Sequence, residues 1–376
     1  MIGLSRALFV STSIFSSRVV PLFGKYFLLI AAIFLLNSCK KVGSSNSDGT
    51  ADSKKSVLHV LVSSGYLPGS VVDIFTRETG ISIAVQVCDS DVEMRRLFAI
   101  APEIYDVLQP GEGLAAEWIQ DNKLAPLSYE TVPNLRNLDS CFIGMPFDSS
   151  NRYTAPYLSG TIGILYNSDQ VTGEIRDYND IFDQKYAGYI AIPNDAREIV
   201  GCAIAQLNIR FGNLAISNLE DVRKQLAKWL PLISKYSPHD SAQALLRRGD
   251  VVVAIMRSGD AAALMREDDK FKWVVPAVGA HLFVQSLAIS AVSVHQSEAE
   301  RFINFLLRPD ISAKISRQYP YFNPNRLGRA LLPQEDRKCL CLLPKDFSKS
   351  SLQLFPPLNS EMLRNLAQFA ESLRHK

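Results

Sequence analysis

The feature that most constrains the fold of this chain is a regular alternation of strand-like and helix-like segments that starts at Val57. The apolar run VLHVLVS (57–63) is followed by the helical pattern GSVVDIFTRETG (69–80), which ends on a glycine suited to helix termination. A β-branched run, ISIAVQVC (81–88), and a second helical pattern, DVEMRRLFAI (91–100), come next. Strands that alternate with helices at this spacing predict right-handed βαβ units and a parallel sheet.

The same alternation returns in the second half of the chain. Strands are predicted at YIAIPN (189–194), VVVAIM (251–256) and SLAISAV (286–292), with helical patterns between them. Two further helices are expected to divide near Pro309, and the last stretch, SEMLRNLAQFAESLRHK, predicts an amphipathic helix whose apolar side faces the core. With 376 residues, 47% of them hydrophobic and 21% charged, the chain is long and apolar enough for two α/β domains.

Charge and motif content narrow the classes of function. The formal net charge is +2, and beyond the first 38 residues the chain carries 37 basic and 38 acidic side chains. Nucleic-acid binding requires a strongly basic face, which this near-neutral body does not provide. The sequence has no glycine-rich phosphate loop, no GxSxG and no HExxH motif, and its five histidines are scattered. No residue pattern in the sequence therefore names a metal site, a cofactor site or a catalytic triad.

The N-terminus has the organisation of a lipoprotein export signal. Lys25 precedes an apolar run over residues 27–36, which has the length of a signal-peptide core and is too short to span a bilayer comfortably. The tetrapeptide LNSC, which ends at Cys39, resembles a bacterial lipobox. It predicts removal of residues 1–38 and a lipid on Cys39. A plain signal peptide or a membrane anchor is the alternative.

The segment that follows, residues 39–56, is polar and rich in serine and glycine. Such a composition cannot form a core and predicts a flexible tether. A lipid on Cys39 with this tether would hold a soluble domain at the extracytoplasmic, periplasmic face of a membrane. Five more cysteines follow, an odd number that cannot all pair within one chain, and none has metal-ligand spacing. We expect most of them to be small buried side chains.

Two carboxylates mark the most informative motif, IPNDAREIV (192–200). Asp195 and Glu198 stand three residues apart, between a predicted strand and a predicted helix. This spacing is typical of a helix cap, and it also places two acids on one helix face, where they can bind one cation. An acid–base pair of a hydrolase is a third possibility. The acids of a glycosidase must flank the scissile bond across a cleft, so acids that lie side by side suit a cation better.

Several stretches, spread in order over about Leu58 to Asn325, carry a family resemblance. They are VSSGYLPGSVVDIFTRETGISI, YDVLQP, MPFD, YTAPYLSGTIGILYN, YAGYIAIPNDAREIVG, SLAIS and FINFLLRPDISAKIS, which leads into YFNPN. Together they resemble the periplasmic spermidine/putrescine-binding proteins, the solute-binding subunits of polyamine ABC importers. The NDARE and INFLLRPD segments are the most specific of these.

The resemblance implies a two-lobed α/β binding-protein fold, in which each lobe is a βα sheet and the ligand lies in the cleft between the lobes. Residues 57–159 and 284–329 would form lobe 1, and residues 160–283 and 330–376 would form lobe 2. Such lobes close around a ligand by hinge motion. The resemblance also implies a monomer that passes a small-molecule amine to an ABC permease and its ATPase. A protein of this kind is predicted to have no enzyme activity, no cofactor and no metal site.

Ligand contacts are implied residue by residue. At the DARE positions of the family, Asp195 and Glu198 pair with an amine of the ligand. This role is compatible with a cap, because Asp195 can begin the helix while Glu198 projects into the cleft. The other implied contacts are Ser63 at a tryptophan position, Ser64 at a hydroxyl position, Tyr66, Tyr321 and, in a loose alignment, Gln353.

Other positions depart from the polyamine site. They are Gly65 in place of an acid, Arg257 and Phe283 in place of tryptophans, Gln285 in place of an aspartate, and Gly111 and Gly113 on either side of the acidic Glu112. A polyamine needs acids at its ammonium groups and aromatic faces along its apolar spacers. The default ligand is putrescine or spermidine, and agmatine or an amino acid is the alternative. If Arg257 points into the cleft, its guanidinium would favour a carboxylate.

Overall fold

The computed structural model describes residues 57–237, 241–340, 351–357 and 360–374; the predicted signal peptide, Cys39 and the tether lie outside this part. Its strands are β1 (Val57–Ser63), β2 (Ser82–Cys88), β3 (Val107–Leu108), β4 (Leu124–Ala125), β5 (Ala155–Asn167), β6 (Ile190–Pro193), β7 (Ile233–Ser237), β8 (Val253–Arg257), β9 (Phe271–Val274), β10 (Ala280–Ser290) and β11 (Leu352–Gln353). Its α-helices are α1 (Gly69–Thr79), α2 (Asp91–Ile100), α3 (Glu112–Gln120), α4 (Tyr178–Ile181), α5 (Ala196–Gln206), α6 (Leu219–Trp229), α7 (Ser241–Arg248), α8 (Ser258–Glu267), α9 (Gln296–Leu306), α10 (Pro309–Gln318), α11 (Arg326–Ala330), α12 (Gln334–Leu340) and α13 (Glu361–Arg374).

The strands form one mixed sheet in the order β2-β1-β3-β10-β5-β8-β6-β7, and β4, β9 and β11 pair with the two central strands. On one side, β2, β1 and β3 are parallel; on the other, β8, β6 and β7 are parallel. Both groups join the central pair β10 and β5 through antiparallel contacts. The predicted parallel sheet is therefore correct for each outer group and wrong at the centre, where a mixed sheet connects them.

The central pair runs through the middle of the molecule. β5 has 13 residues and β10 has 11, and all of them except Tyr166 are buried. In their antiparallel ladder Gly160 lies opposite Phe283, and Ser159 lies opposite Val284. These are the positions at which the family pattern places the crossings between lobes. The lobe boundaries themselves remain a prediction.

The alternation pattern missed the length of this pair. It predicted a strand at residues 286–292, whereas β10 begins at Ala280 and ends at Ser290. A strand buried on both faces has no polar alternation, so periodicity alone does not show where it starts.

The helices agree closely with their sequence signals. α1 is capped at its C-terminus by Gly80, which adopts a left-handed conformation (φ 76°) and donates its N–H to the carbonyl of Thr76. The helical stretch after β10 divides as predicted, because α10 begins at Pro309, a residue suited to the first turn of a helix. α13 buries Leu363, Leu366 and Ala370, which confirms that its apolar side faces the core.

Cys88 and Cys202 are buried, Cys141 is exposed, and all three are free thiols. Burial of the first two agrees with the expectation for small apolar side chains. Across the described ranges, no helix is both long enough and apolar enough to cross a membrane.

Candidate ligand-binding site

Two cavities lie where the parallel strands end and the central pair passes beneath them. The smaller, of about 30 Å³, is lined by side chains that follow β2, β3 and β6, by the last residue of β8, and by the middle of β10. The larger, of about 380 Å³, is lined by the loop after β1, the start of α8 and the loop after α10. Arg257 lies in the wall of both. In open α/β sheets, the crevice at the carboxyl ends of the strands is the usual place for a ligand.

A buried charged triad occupies one side of the smaller cavity. His281, on β10, lies between Glu112, the first residue of α3, and Glu198, in the first turn of α5. Its Nε2–H donates to Glu112 Oε1 at 2.8 Å, and its Nδ1–H donates to the Glu198 carboxylate at 3.1 Å. None of the three residues is more than 7% exposed. Phe355 covers the imidazole, with ring centroids 3.8 Å apart.

The two glutamates keep His281 charged. Burial by itself would lower its pKa, but the negative charges of Glu198 and Glu112 and their hydrogen bonds outweigh burial and raise the pKa of His281 to about 9. Burial would likewise raise the pKa of Glu112, yet the charge of His281 holds it below its ordinary value. At neutral pH the triad therefore contains an imidazolium between two carboxylates.

Asp195 lies beside this triad and has a different partner. It caps α5 by accepting the N–H of Arg197 at 2.9 Å, and its carboxylate also pairs with the Arg197 guanidinium at 2.6 Å. The two acids of the DARE motif thus both line the small cavity, but each contacts a cation supplied by the chain itself.

Arg257 closes β8 and has aromatic rings on two sides. Its guanidinium lies 5.6 Å from the ring centroid of Tyr66 and 5.7 Å from that of Phe283, within the range of cation–π contacts. Tyr321 stacks on Tyr66 at 4.9 Å, and its hydroxyl donates to Asp260 Oδ1 at 3.0 Å. These contacts fix the side chain at the boundary between the cavities.

Two acceptors of the small cavity are incompletely paired within the described part of the chain. Asp91, the first residue of α2, accepts the N–H of Gly111 at 3.1 Å and forms no salt bridge with any described residue. Burial raises its pKa, although Arg197 lies near enough to oppose the shift. Gln285 is 5% exposed, and its Oε1 accepts no hydrogen bond from the described part of the chain. Both groups are acceptors that an ammonium would satisfy.

Gly111 explains how Asp91 reaches this position. A Cβ at residue 111 would lie 2.5 Å from Asp91 Oδ2 and 3.2 Å from Gln285 Nε2. A side chain here would therefore displace the carboxylate. The missing side chain at Gly111 leaves the space that the Asp91 carboxylate occupies.

The predicted site residues divide into three groups. The small cavity brings together Glu112, Asp195, Glu198, Arg257, Phe283 and Gln285. The larger cavity brings together Ser64, Arg257 and Tyr321. Ser63 and Tyr66 line neither cavity: the N–H of Ser63 binds Gln109 Oε1, and the ring of Tyr66 lies buried beneath Tyr321. Gln353 lines another crevice and accepts the N–H of Phe211.

Sequence reasoning missed Asp91, His281 and Phe355. Asp91 looks like an ordinary acid of a first helical turn, and only the adjacent Gly111 creates its access to the cavity. His281 carries no motif of its own. The glutamates that hold it are 169 and 83 residues away in sequence. No local pattern reports contacts of this range.

Two α/β lobes joined by a shared strand pair, with a polar cleft at the strand ends, define the class of protein: this chain is a solute-binding protein. The profile of the bacterial extracellular solute-binding proteins matches residues 70–336, and the chain belongs to that family.

Similar proteins include named polyamine binders. The spermidine/putrescine-binding periplasmic protein of Salmonella typhimurium is 26% identical over 272 residues, which cover 72% of this chain and 78% of that protein. The putrescine-binding periplasmic protein SpuD of Pseudomonas aeruginosa is 27% identical over 339 residues, or 85% of this chain and 91% of that one. The structure of a spermidine/putrescine ABC transporter from Listeria monocytogenes superposes with a TM-score of 0.79 at 25% identity, covering 85% of this chain and 98% of that chain.

These comparisons confirm the two-lobed fold and the family resemblance. The family and the relatives are solute-binding components of transporters and not enzymes, which confirms the prediction of no enzyme activity. The hydrolase interpretation of Asp195 and Glu198 is thereby excluded.

Proposed function

We propose that this chain binds a small amine-bearing solute in its cleft and delivers it to an ABC permease and its ATPase. One observation carries the proposal: the small cavity has acceptors that lack donors. Asp91 forms no salt bridge with the described residues, and Gln285 Oε1 accepts no hydrogen bond there. The other three acids of the wall already hold cations of the chain itself. A buried acceptor without a donor is costly, and a ligand ammonium would donate to both groups.

The names of the relatives support the same class of ligand. Polyamines are bound by the Salmonella and Pseudomonas proteins according to their names. Putrescine and spermidine are therefore the first ligands to test, followed by agmatine and amino acids that carry an amine.

The test is to identify what the protein carries. The mature protein is purified without denaturant, its mass is measured in the native state, and small molecules are then released by denaturation and identified. We expect an amine bound at one molecule per chain and recovered chemically intact. Calorimetric titration of the emptied protein should then restore binding with that amine. Failure to bind any of the polyamines, agmatine or amino acids would contradict the proposal.

Membrane attachment through Cys39 is the second part of the proposal. It is supported by the charge, apolar run and lipobox-like LNSC of the N-terminus, which lie outside the described residues. Changing Cys39→Ala should abolish acylation and release the protein from membranes, or leave its signal unprocessed, while the soluble domain still folds. Metabolic labelling with a fatty acid and membrane fractionation measure this. Acylation and membrane retention equal to the parent would show that Cys39 is not the anchor.

A further inference from the structure

The guanidinium of Arg257 is an unusual group to find beside an amine site. It is half-buried, lies over two aromatic rings, and forms no hydrogen bond or salt bridge with the described residues. A guanidinium has five N–H donors in a planar fork that matches a carboxylate in a bidentate contact. Flat aromatic faces at Tyr66 and Phe283 hold the fork in place without using those donors. The geometry therefore presents a prepared site for a planar anion.

The position of Arg257 relates this anion site to the cavities. The larger cavity, at about 380 Å³, falls in the range of small-ligand pockets, and Arg257 shares its wall with the polar residues Ser64 and Gln243. The smaller cavity, at about 30 Å³, has room for one water-sized group such as an ammonium, but not for a chain. A ligand that fills both must pass Arg257.

The amine end has its own acceptors in the small cavity. Asp91 supplies a carboxylate without a salt bridge to the described residues, and Gln285 supplies a buried Oε1 without a hydrogen-bond donor there. Together they satisfy two of the three N–H donors of an ammonium. Asp91 and Gln285, which accept too few hydrogen bonds, thus lie in the wall of the same cavity as Arg257, whose guanidinium has no acceptor among the described residues.

A second ammonium finds no equivalent site. Glu112 and Glu198 already hold the imidazolium of His281, and Asp195 already holds Arg197. In a diamine the second ammonium would also lie near Arg257, where like charges repel. His281 has in effect replaced one amine of a polyamine with a cation built into the chain.

We infer that the ligand is a short zwitterion, with its amine bound by Asp91 and Gln285 and its carboxylate bound by Arg257. This inference rests on the proposed function, since it specifies the solute that the same cleft carries. It makes Arg257 the specificity-determining residue for the acid end of the ligand.

The experiment compares probes that differ at one end only. Putrescine and 5-aminovalerate share the same methylene spacer, and 4-aminobutyrate is one methylene shorter; each is titrated calorimetrically into the emptied whole chain. We expect an amino acid to bind at least about tenfold more tightly than putrescine. Arg257→Gln should remove that preference by weakening amino-acid binding at least about tenfold while leaving putrescine affinity equal or higher. Arg257→Lys keeps the charge but not the planar fork of donors. Its affinity for the amino acids should lie between those of the parent and of Arg257→Gln.

Two further variants separate the possible failures. Asp91→Asn should weaken putrescine and the amino acids alike, because it acts on the amine that they share. Arg247→Gln, at a surface arginine paired with Glu267, is the matched control and should leave the affinities for putrescine and the amino acids unchanged. Thermal unfolding without ligand verifies that each variant is folded.

The outcomes point in different directions. Tight parental binding of putrescine that Arg257→Gln leaves unchanged would overturn the zwitterion inference and leave the amine function standing. Binding of glutarate, an acid at both ends, in preference to every amine would overturn both. A preference for amino acids that survives in Arg257→Gln and Arg257→Lys would also remove Arg257 from the ligand site.

Discussion

His281 lies where the buried charges of the cleft meet, and it has two negative neighbours. Its two N–H groups bind Glu112 and Glu198 at 2.8 and 3.1 Å in a site with almost no solvent exposure. Removing one partner from a buried ionic group is far more costly than breaking a surface pair, because the remaining charges stay buried without compensation. We propose that the His281 imidazolium occupies a place that a ligand cation could otherwise take.

The first prediction concerns this residue. His281→Gln should lower the free energy of unfolding by about 3 kcal/mol at pH 7, because two buried carboxylates lose their cation. Added putrescine should raise the melting temperature of the variant more than that of the parent, since an ammonium can take the vacated place. Urea denaturation and thermal unfolding with and without putrescine measure both effects.

His295→Gln is the matched control for that experiment. His295 also contacts an acid, Asp106 at 3.2 Å, but its side chain is 34% exposed and it lies away from both cavities. The His295→Gln change should lower the free energy of unfolding by much less than the His281→Gln change does. Equal losses in the two variants, or no extra response to putrescine, would show that His281 does not fill a cation site.

At the scale of a secondary-structure element, the first turn of α8 organises the wall of the larger cavity. Ser258 accepts the N–H of Thr161 at 3.2 Å and so ties the helix to β5. Gly259 lies against the ring of Tyr321, whose hydroxyl donates to Asp260 in the same turn. The helix start that follows Arg257 thus fixes the aromatic stack beneath the guanidinium.

The second prediction tests this turn. Alanine is normally about 1 kcal/mol better than glycine inside a helix. At position 259, however, a Cβ would collide with the Tyr321 ring. Gly259→Ala should therefore displace Tyr321 from Tyr66 and weaken ligand binding at least about tenfold, as measured by calorimetry with the identified ligand.

A near-UV circular dichroism change should accompany the loss, because the tyrosine stack is disturbed. Gly212→Ala is the control, since a Cβ there meets no atom within 4 Å. Unchanged binding by Gly259→Ala would mean that Tyr321 and the larger cavity do not contribute to the ligand site.

At the scale of the whole molecule, two kinds of connection join the outer strand groups. The backbone connection is the long β5–β10 ladder. The side-chain connection is the triad, because Glu112 begins the helix after β3, Glu198 lies in the helix after β6, and His281 belongs to β10. The triad links side chains that the ladder alone would not hold together.

The third prediction follows from the titration of this link. The folded-state pKa of His281, about 9, lies above its ordinary value of 6.5. The charged form of His281 therefore stabilises the folded state fully below pH 6.5. This contribution to the free energy of unfolding, about 3 kcal/mol, is lost as pH rises from 6.5 through about 9. Glu112, whose pKa is lowered, acts in the opposite direction: its contribution is present above pH 4.5 and is lost as pH falls through its lowered pKa.

Urea unfolding at closely spaced pH values measures this profile. Glu112 and Glu198 contact the imidazolium, and the other charged groups of the same cavity wall are Asp91, Asp195, Arg197 and Arg257. His281→Gln should flatten the decline between pH 6.5 and 9 while leaving the rest of the curve similar in shape. A parental curve that is flat over this interval would contradict a charged His281 in the folded protein.

Much of the fold follows from the sequence because its signals are local. The alternation of apolar strands and amphipathic helices predicts β1, α1 and α2, and glycine or proline at the ends of helices predicts where α1 stops and α10 starts. The NDARE motif likewise predicts both the cap at Asp195 and an acid directed into the cleft at Glu198. These features depend on residues within a few positions of one another.

The partners of those acids were decided by the tertiary structure alone. Glu198 meets His281 across 83 residues of sequence, Glu112 meets it across 169, and Phe355 covers it because β11 pairs with β10 at residues 280 and 281. The order of strands in the sheet determines these distances, and local periodicity carries no record of that order. The sequence therefore determined the class of fold and the acidic motif, whereas sheet topology decided that a histidine of the chain itself occupies the place beside Glu198 and leaves Asp91 and Arg257 facing the cavity.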